Sequence, residues 1–337
     1  MKRVKKIAVV ASVLLVVAAV TVFAAFRLSP WPGALLIRRA FDAEAWRVSS
    51  ALEKHLPTNV TAIRGVVYDP AHRDCRLDVF FPSAIANTDR ALTTVVWVHG
   101  GGWISGSKNQ IANYLKILAA RGFTVVGVDY SIAPGAKYPT PVRQTAAALA
   151  HLQRHARDLH IDPQRLVLAG DSGGAQIVAQ VALTITSPDY ARALGVAPTV
   201  TPAQLAGLLL YCGPFDLRRL NLDGPFGSFM KTVLWAYTGR RDFTRDDQSG
   251  APAKLMSVTP NVTATFPRTF ISVGNGDPLA PQSYALAERL TELGVKVDRL
   301  FFPEDYTPSL PHEYQFNLET DTGRLALERA VAFLATL

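Results

Sequence analysis

Apolar positions along the chain fall into three rhythms. Residues 7–26 form an uninterrupted uncharged run dominated by Val, Ala, Leu and Phe. Residues 34–56 instead place Leu35, Ile37, Phe41, Ala45, Val48, Leu52 and Leu56 near helical spacing. Arg38, Arg39, Asp42, Glu44, Glu53 and Lys54 fall mostly between them, which predicts an amphipathic helix ended by Pro57. From residue 60 onward, short apolar runs alternate with helical patterns. Residues 60–68 and 75–81 read as a hairpin at a sheet edge. Strand-like runs follow at 93–98, 124–128, 166–169, 205–211, 269–273 and 297–302. Helical patterns occupy 110–121, 141–160, 175–186, 283–293 and 320–337. Continuous apolar runs of this kind suit parallel strands buried on both faces. Their alternation with helices predicts an α/β domain with a mostly parallel eight-stranded sheet. Residues 213–266 break the alternation, with one helical run at 228–237 amid many Gly, Pro, Asp and Arg. They read as a cap inserted at the ligand-facing edge.

The first rhythm has membrane dimensions. A run over residues 7–26 at about 1.5 Å per residue spans the ~30 Å hydrocarbon core. The preceding Met1-Lys-Arg-Val-Lys-Lys6 holds its start on the cytoplasmic side. Residues 1–28 are therefore expected to be a transmembrane anchor, with the remainder extracytoplasmic. The alternative is a signal peptide whose cleavage leaves a secreted or periplasmic protein. The run is longer than a usual signal core, and Phe23-Ala-Ala-Phe26 is a poor cleavage site. Residues 29–59 then form a stalk or lid helix, and 60–337 the catalytic domain.

Charge changes this picture little. The net +8 comes almost entirely from Lys2, Arg3, Lys5, Lys6, Arg27, Arg38 and Arg39, with no acid before residue 42. No basic cluster with interleaved aromatics follows, so nucleic acid is not an expected partner. The two cysteines, Cys75 and Cys212, form no metal-binding spacing. They are either one disulfide or two buried thiols.

Chemistry concentrates on Ala169-Gly170-Asp171-Ser172-Gly173-Gly174, between a strand-like and a helix-like run. A Gly-x-Ser-x-Gly core in that setting is the pattern of a nucleophile elbow; the plainer reading is a helix cap. A serine nucleophile needs a base, and the base needs an orienting acid. Of seven histidines only His312 follows Ser172, in a loop beyond the last strand-like run. Asp277, in Gly274-Asn-Gly-Asp277-Pro, follows the preceding strand. Asp298, Glu304 and Asp305 are the competing acids. After the strand at 93–98 stands His99-Gly-Gly-Gly-Trp103, whose backbone can turn N–H donors toward a developing oxyanion. His99 precedes Ser172 and is expected to hold that loop.

Together, His99-Gly-Gly-Gly-Trp103, Asp129-Tyr-Ser-Ile-Ala-Pro134, Gly170-Asp-Ser-Gly-Gly174, Gly276-Asp-Pro-Leu279 and His312 resemble the hormone-sensitive-lipase-type esterases of the α/β-hydrolase superfamily. The resemblance covers roughly residues 60–337. It implies carboxylic-ester hydrolysis with no cofactor or metal. A small-molecule, short-chain ester is the expected substrate, because the sequence shows no long greasy lid. The resemblance makes Ser172 the nucleophile, His312 the base and Asp277 the orienting acid. Gly101, Gly102 and Gly173 become the oxyanion donors, under a lid of the N-terminal helix and the insertion. Two departures stand out: Gly173 where the family usually has Ala, and Glu313 where Gly often follows the histidine. Amidase, peptidase or deacetylase chemistry would use the same triad. A non-catalytic small-molecule receptor is the reading from another class.

Overall fold

The structure is a computed structural model that describes residues 2–245 and 252–337. Helix α1 (Lys2–Leu28) precedes α2 (Trp31–Ala51), joined through Ser29-Pro30. Strands β1 (Val60–Val67) and β2 (Arg76–Pro82) follow, then β3 (Leu92–Val98), α3 (Lys108–Ala119), β4 (Thr124–Val128) and α4 (Thr140–Arg154). Next come β5 (Ile161–Asp171), α5 (Ser172–Thr186), α6 (Pro188–Leu194) and β6 (Leu205–Tyr211). The insertion holds α7 (Gly224–Thr238) and α8 (Pro252–Met256). The chain ends with β7 (Thr269–Ser272), α9 (Ala280–Glu292), β8 (Val297–Leu300) and α10 (Asp321–Leu334).

The strands form one eight-stranded sheet in the order β1-β2-β4-β3-β5-β6-β7-β8. The β1–β2 and β2–β4 pairs are antiparallel, and every other pair is parallel. The hairpin read at 60–81 therefore does lie at an edge. Side chains of the central strands alternate between two apolar layers. Val96, Val98, Leu168, Leu208 and Leu210 enter one layer, while Val95, Trp97, Val167, Ala169, Leu209 and Tyr211 enter the other. Every residue of α5 after Ser172 is buried, so the elbow is anchored by the most enclosed helix of the fold.

Several boundaries differ from the pattern, and those around β5 bear on the site. The helix expected over 141–160 stops at Arg154, and β5 starts at Ile161 rather than 166. Leu92 pairs with Ile161, and the sheet thereby claims residues 161–165, which the apolar pattern left unassigned. Helix α5 starts at Ser172, three residues earlier than its apolar pattern, because two glycines carry no hydrophobic signal. Within the insertion, the run at 228–237 is part of α7, and residues 246–251 lie outside the described residues. Both cysteines are buried free thiols, which resolves their alternatives in favour of no disulfide.

Candidate active site

The turn from β5 into α5 places Ser172 at φ 49°, a left-handed backbone that few residues other than glycine adopt. Neither flanking glycine shares that conformation; both are required for space. A Cβ on Gly174 would lie 2.0 Å from the Val98 carbonyl oxygen, and one on Gly170 would lie 2.7 Å from the same atom. The elbow thus packs directly against the end of β3.

The glycine loop leaves β3 at that point. Gly101 and Gly102 have φ of 93° and 57°. The amides of Ile104 and Ser105 donate to the Gly101 carbonyl at 3.2 and 3.0 Å. Among the described residues, the amides of Gly101 and Gly102 donate to no protein acceptor. Gly173 lies in the first turn of α5, where amides have no intrahelical partner. His99 stacks on Tyr130 with ring centroids 4.4 Å apart, and its Nδ1 lies 2.9 Å from the Gly100 carbonyl oxygen. It supports the loop and does not meet Ser172.

Asp277 follows β7 and is buried; its Oδ1 accepts from the Leu279 amide at 2.8 Å. Its Oδ2 lies 2.7 Å from His312 Nδ1, and His312 Nε2 lies 3.0 Å from Ser172 Oγ. The loop carrying His312 is clamped by Asn275, which accepts from the Leu310 amide at 2.9 Å and donates to the Tyr306 carbonyl at 2.9 Å. The competing acids lie elsewhere. Asp298 pairs with Arg268 at 3.0 Å, and Glu304 and Asp305 are exposed.

Desolvation opposes charge on the His312 ring, but the Asp277 carboxylate 2.7 Å from Nδ1 favours it and draws its pKa above the usual histidine value. Cys212, Asp277 and His312 offer donor atoms within 4.8 Å of one another. Asp277 and His312 are already engaged, and burial pushes the Cys212 thiol up to about 11, away from the thiolate that metals bind. Asp171 is fully enclosed; burial, reinforced by the charge of Glu313, pushes its carboxyl up to about 7. Its two oxygens accept from Trp97 Nε1 at 2.7 Å and from the Gly100 amide at 2.8 Å, tying elbow to glycine loop.

A cavity of about 480 Å³ opens over Ser172. Phe41, Ala45 and Val48 of α2 and Phe226, Phe229, Met230 and Val233 of α7 line it with Ser172, Asp277, His312 and the glycine loop. Phe41 and Phe229 meet across it at 5.5 Å between ring centroids. Helix α2 is also bonded to the loop below. Arg38 donates to the Ile104 and Ala133 carbonyls, and Asp42 accepts from Ser105 Oγ at 2.7 Å and Gln110 Nε2 at 3.2 Å. The sequence reading missed Arg38, Asp42, Asp171 and Asn275. Only Asn275 and Asp171 carried a local signal, each lying inside a motif already singled out.

An open mostly parallel sheet with Ser, Asp and His on the loops that follow β5, β7 and β8 defines an α/β hydrolase. A model of the α/β-hydrolase fold family matches residues 95–307, more than half the chain, and the chain belongs to that family. An esterase of Gibberella moniliformis is 27% identical over 253 residues, covering 72% of this chain and 74% of the relative. An acetyl esterase of Salmonella choleraesuis is 26% identical over 202 residues, covering 58% of this chain and 59% of that protein. Esterase B of Lactobacillus rhamnosis, in a crystal structure with a tributyrin phosphonate inhibitor, shares the fold with a TM-score of 0.74. That likeness covers 90% of this chain and 95% of esterase B at 21% identity.

Proposed function

We propose that the chain is a serine hydrolase that cleaves carboxylic esters through an acyl-enzyme on Ser172. The observation that carries the reading is the unbroken line from Asp277 through His312 to Ser172 Oγ at the floor of an apolar cavity. His312 takes the serine proton as the oxygen attacks the ester carbonyl, then gives it to the leaving alcohol. Asp277 holds the ring in the tautomer this requires. The amides of Gly101, Gly102 and Gly173 receive the oxyanion, where loss of one donor typically costs about 10²–10³ in rate. Water activated by His312 then releases the acid. The names of the two relatives favour esters over amides. A cavity of about 480 Å³ walled by Phe41, Phe229 and Val233 suits a short acyl group. Ser172→Ala is the test. Hydrolysis of p-nitrophenyl butyrate is expected to fall to background while circular dichroism and Tm remain those of the parent. Turnover retained by the folded variant refutes the assignment.

We also infer that α2 and the 213–266 insertion act as the lid and α1 as a membrane anchor, with the catalytic domain outside the cytoplasm. The most apolar 18-residue stretch of the helix Arg3–Leu28 has a mean hydropathy of 2.9 and no burial against the rest of the chain. Exposed Trp31, Leu35 and Leu36 continue the apolar surface into α2. A cleaved signal sequence is the alternative, and it yields a secreted or periplasmic enzyme. Intact mass of the mature protein and its retention in carbonate-washed membranes separate the two.

A further inference from the structure

Glu313 directly follows His312, yet the triad does not require it. Its backbone is left-handed, with φ 59° and ψ 27°, where a side chain is disfavoured and glycine is at home. The side chain instead extends into the cavity, with Oε1 3.7 Å from His312 Nε2 and about a third of it (34%) exposed. Among the described residues, no Lys or Arg lines the cavity and none pairs with Glu313. The other carboxylates around the cavity are committed. Glu44 accepts from Arg47, Asp277 holds His312, and Asp171 holds Trp97 and Gly100. Among the described residues, Glu313 therefore presents a carboxylate with no Lys or Arg partner at the mouth of the reacting centre.

Its location relative to the reaction follows from His312. The nitrogen that faces Ser172 Oγ at 3.0 Å must also deliver its proton to the leaving oxygen. The alcohol portion of an ester consequently comes within hydrogen-bond reach of Nε2. A carboxylate 3.7 Å from that nitrogen stands beside the alcohol.

We propose that Glu313 is an alcohol-side specificity residue that selects esters whose alcohol carries a cationic group, such as amino-alcohol or quaternary-ammonium esters, over neutral and anionic ones. The proposal rests on the Ser172 acyl-transfer reading. A unit charge at about 5 Å in a partly solvated site changes the transition-state preference by roughly tenfold. The interaction is open enough to solvent that added salt weakens it.

Two probes share one shape and differ in one charge: 2-(trimethylammonio)ethyl butyrate and 3,3-dimethylbutyl butyrate. With the full chain in detergent micelles, the readout is the cationic-to-neutral ratio of kcat/KM. Glu313→Gln is expected to lower that ratio about tenfold, and Glu313→Lys to lower it further. In the unsubstituted enzyme the ratio is expected to fall severalfold as salt rises from about 20 mM to about 500 mM, a measurement that needs no variant. A ratio indifferent to both salt and Glu313→Gln overturns the proposal. So does an equal loss on both esters, which would assign Glu313 to holding His312. Turnover of p-nitrophenyl butyrate with neither alcohol ester accepted also overturns it. Failure on all three substrates instead defeats the acyl-transfer reading itself.

Discussion

Replacing Asp171 by Asn is expected to stabilise the protein and weaken it as an enzyme. In the fold the Asp171 carboxyl titrates at about 7, because burial and the neighbouring Glu313 charge penalise its ionised form. An unfolded Asp titrates near 3.9, so at low pH both states carry a neutral side chain and Asp and Asn are nearly equivalent. Above the unfolded value the unfolded chain releases its proton while the folded one holds it. The stability that Asp171 contributes below pH ~4 is thus lost as pH rises toward its folded value near 7. A shift of about 3 units corresponds to roughly 4 kcal/mol, most of it developing between about pH 4 and pH 8. Asn does not ionise and escapes this loss. An amide, however, offers one acceptor where Asp171 offers two. Either Trp97 Nε1 or the Gly100 amide is left facing an NH₂ group, at a cost of about 1–3 kcal/mol. The Gly100 bond is the one that ties the elbow to the glycine loop, the proposed source of oxyanion donors, so kcat/KM is expected to fall about tenfold or more. Urea denaturation of both proteins in detergent at pH 4.5 and pH 8, with p-nitrophenyl butyrate kinetics, is the assay. The stability difference should move in favour of Asn by several kcal/mol between the two pH values. A pH-independent difference, or full activity in Asp171→Asn, refutes the reasoning.

Three further outcomes follow from the geometry. Since the base must be neutral to act and its surroundings raise its pKa, the acidic limb of kcat/KM is expected above the usual histidine value of about 6.5; Asp277→Asn should move it down while lowering kcat, and an unmoved limb would exclude His312 as the titrating base. Gly174→Ala pushes a methyl into the Val98 and His99 carbonyl oxygens, and Tm should drop by at least roughly 5 °C; a Tm within 2 °C of the parent, by scanning calorimetry, would contradict the packing described. Arg38→Met keeps the aliphatic stem but removes the donors to the Ile104 and Ala133 carbonyls. A loss of about 1.5–3 kcal/mol in lid attachment should lower kcat/KM around tenfold, and unaltered kinetics would release α2 from the catalytic unit.

Ser172, Asp277 and His312 were legible because each follows a strand-like run, and strand order brings those ends to one edge of the sheet. Their spacing in the chain, 140 residues between Ser172 and His312, is immaterial once topology is known. The glycines of the elbow were legible as residues but not as mechanism. Their purpose is clearance from β3, and clearance has no signature in one sequence. Arg38 and Asp42 were hidden for a different reason. On an amphipathic helix they resemble solvated charges, and only the fold shows them reaching 66 and 63 residues ahead to the glycine loop. Glu313 was visible as a departure from a family habit, whereas its left-handed backbone and its approach to Nε2 belong to the three-dimensional site alone.

The junction of α2 with the glycine loop makes the working enzyme longer than its fold. A protein trimmed to begin at residue 60 would keep every strand and all three triad residues. It would nonetheless lose Phe41 and Val48 from the cavity wall and both tethers, Arg38 and Asp42, from the loop beneath. The family-matched residues 95–307 likewise omit α2 and its part of the cavity wall, and His312 with it.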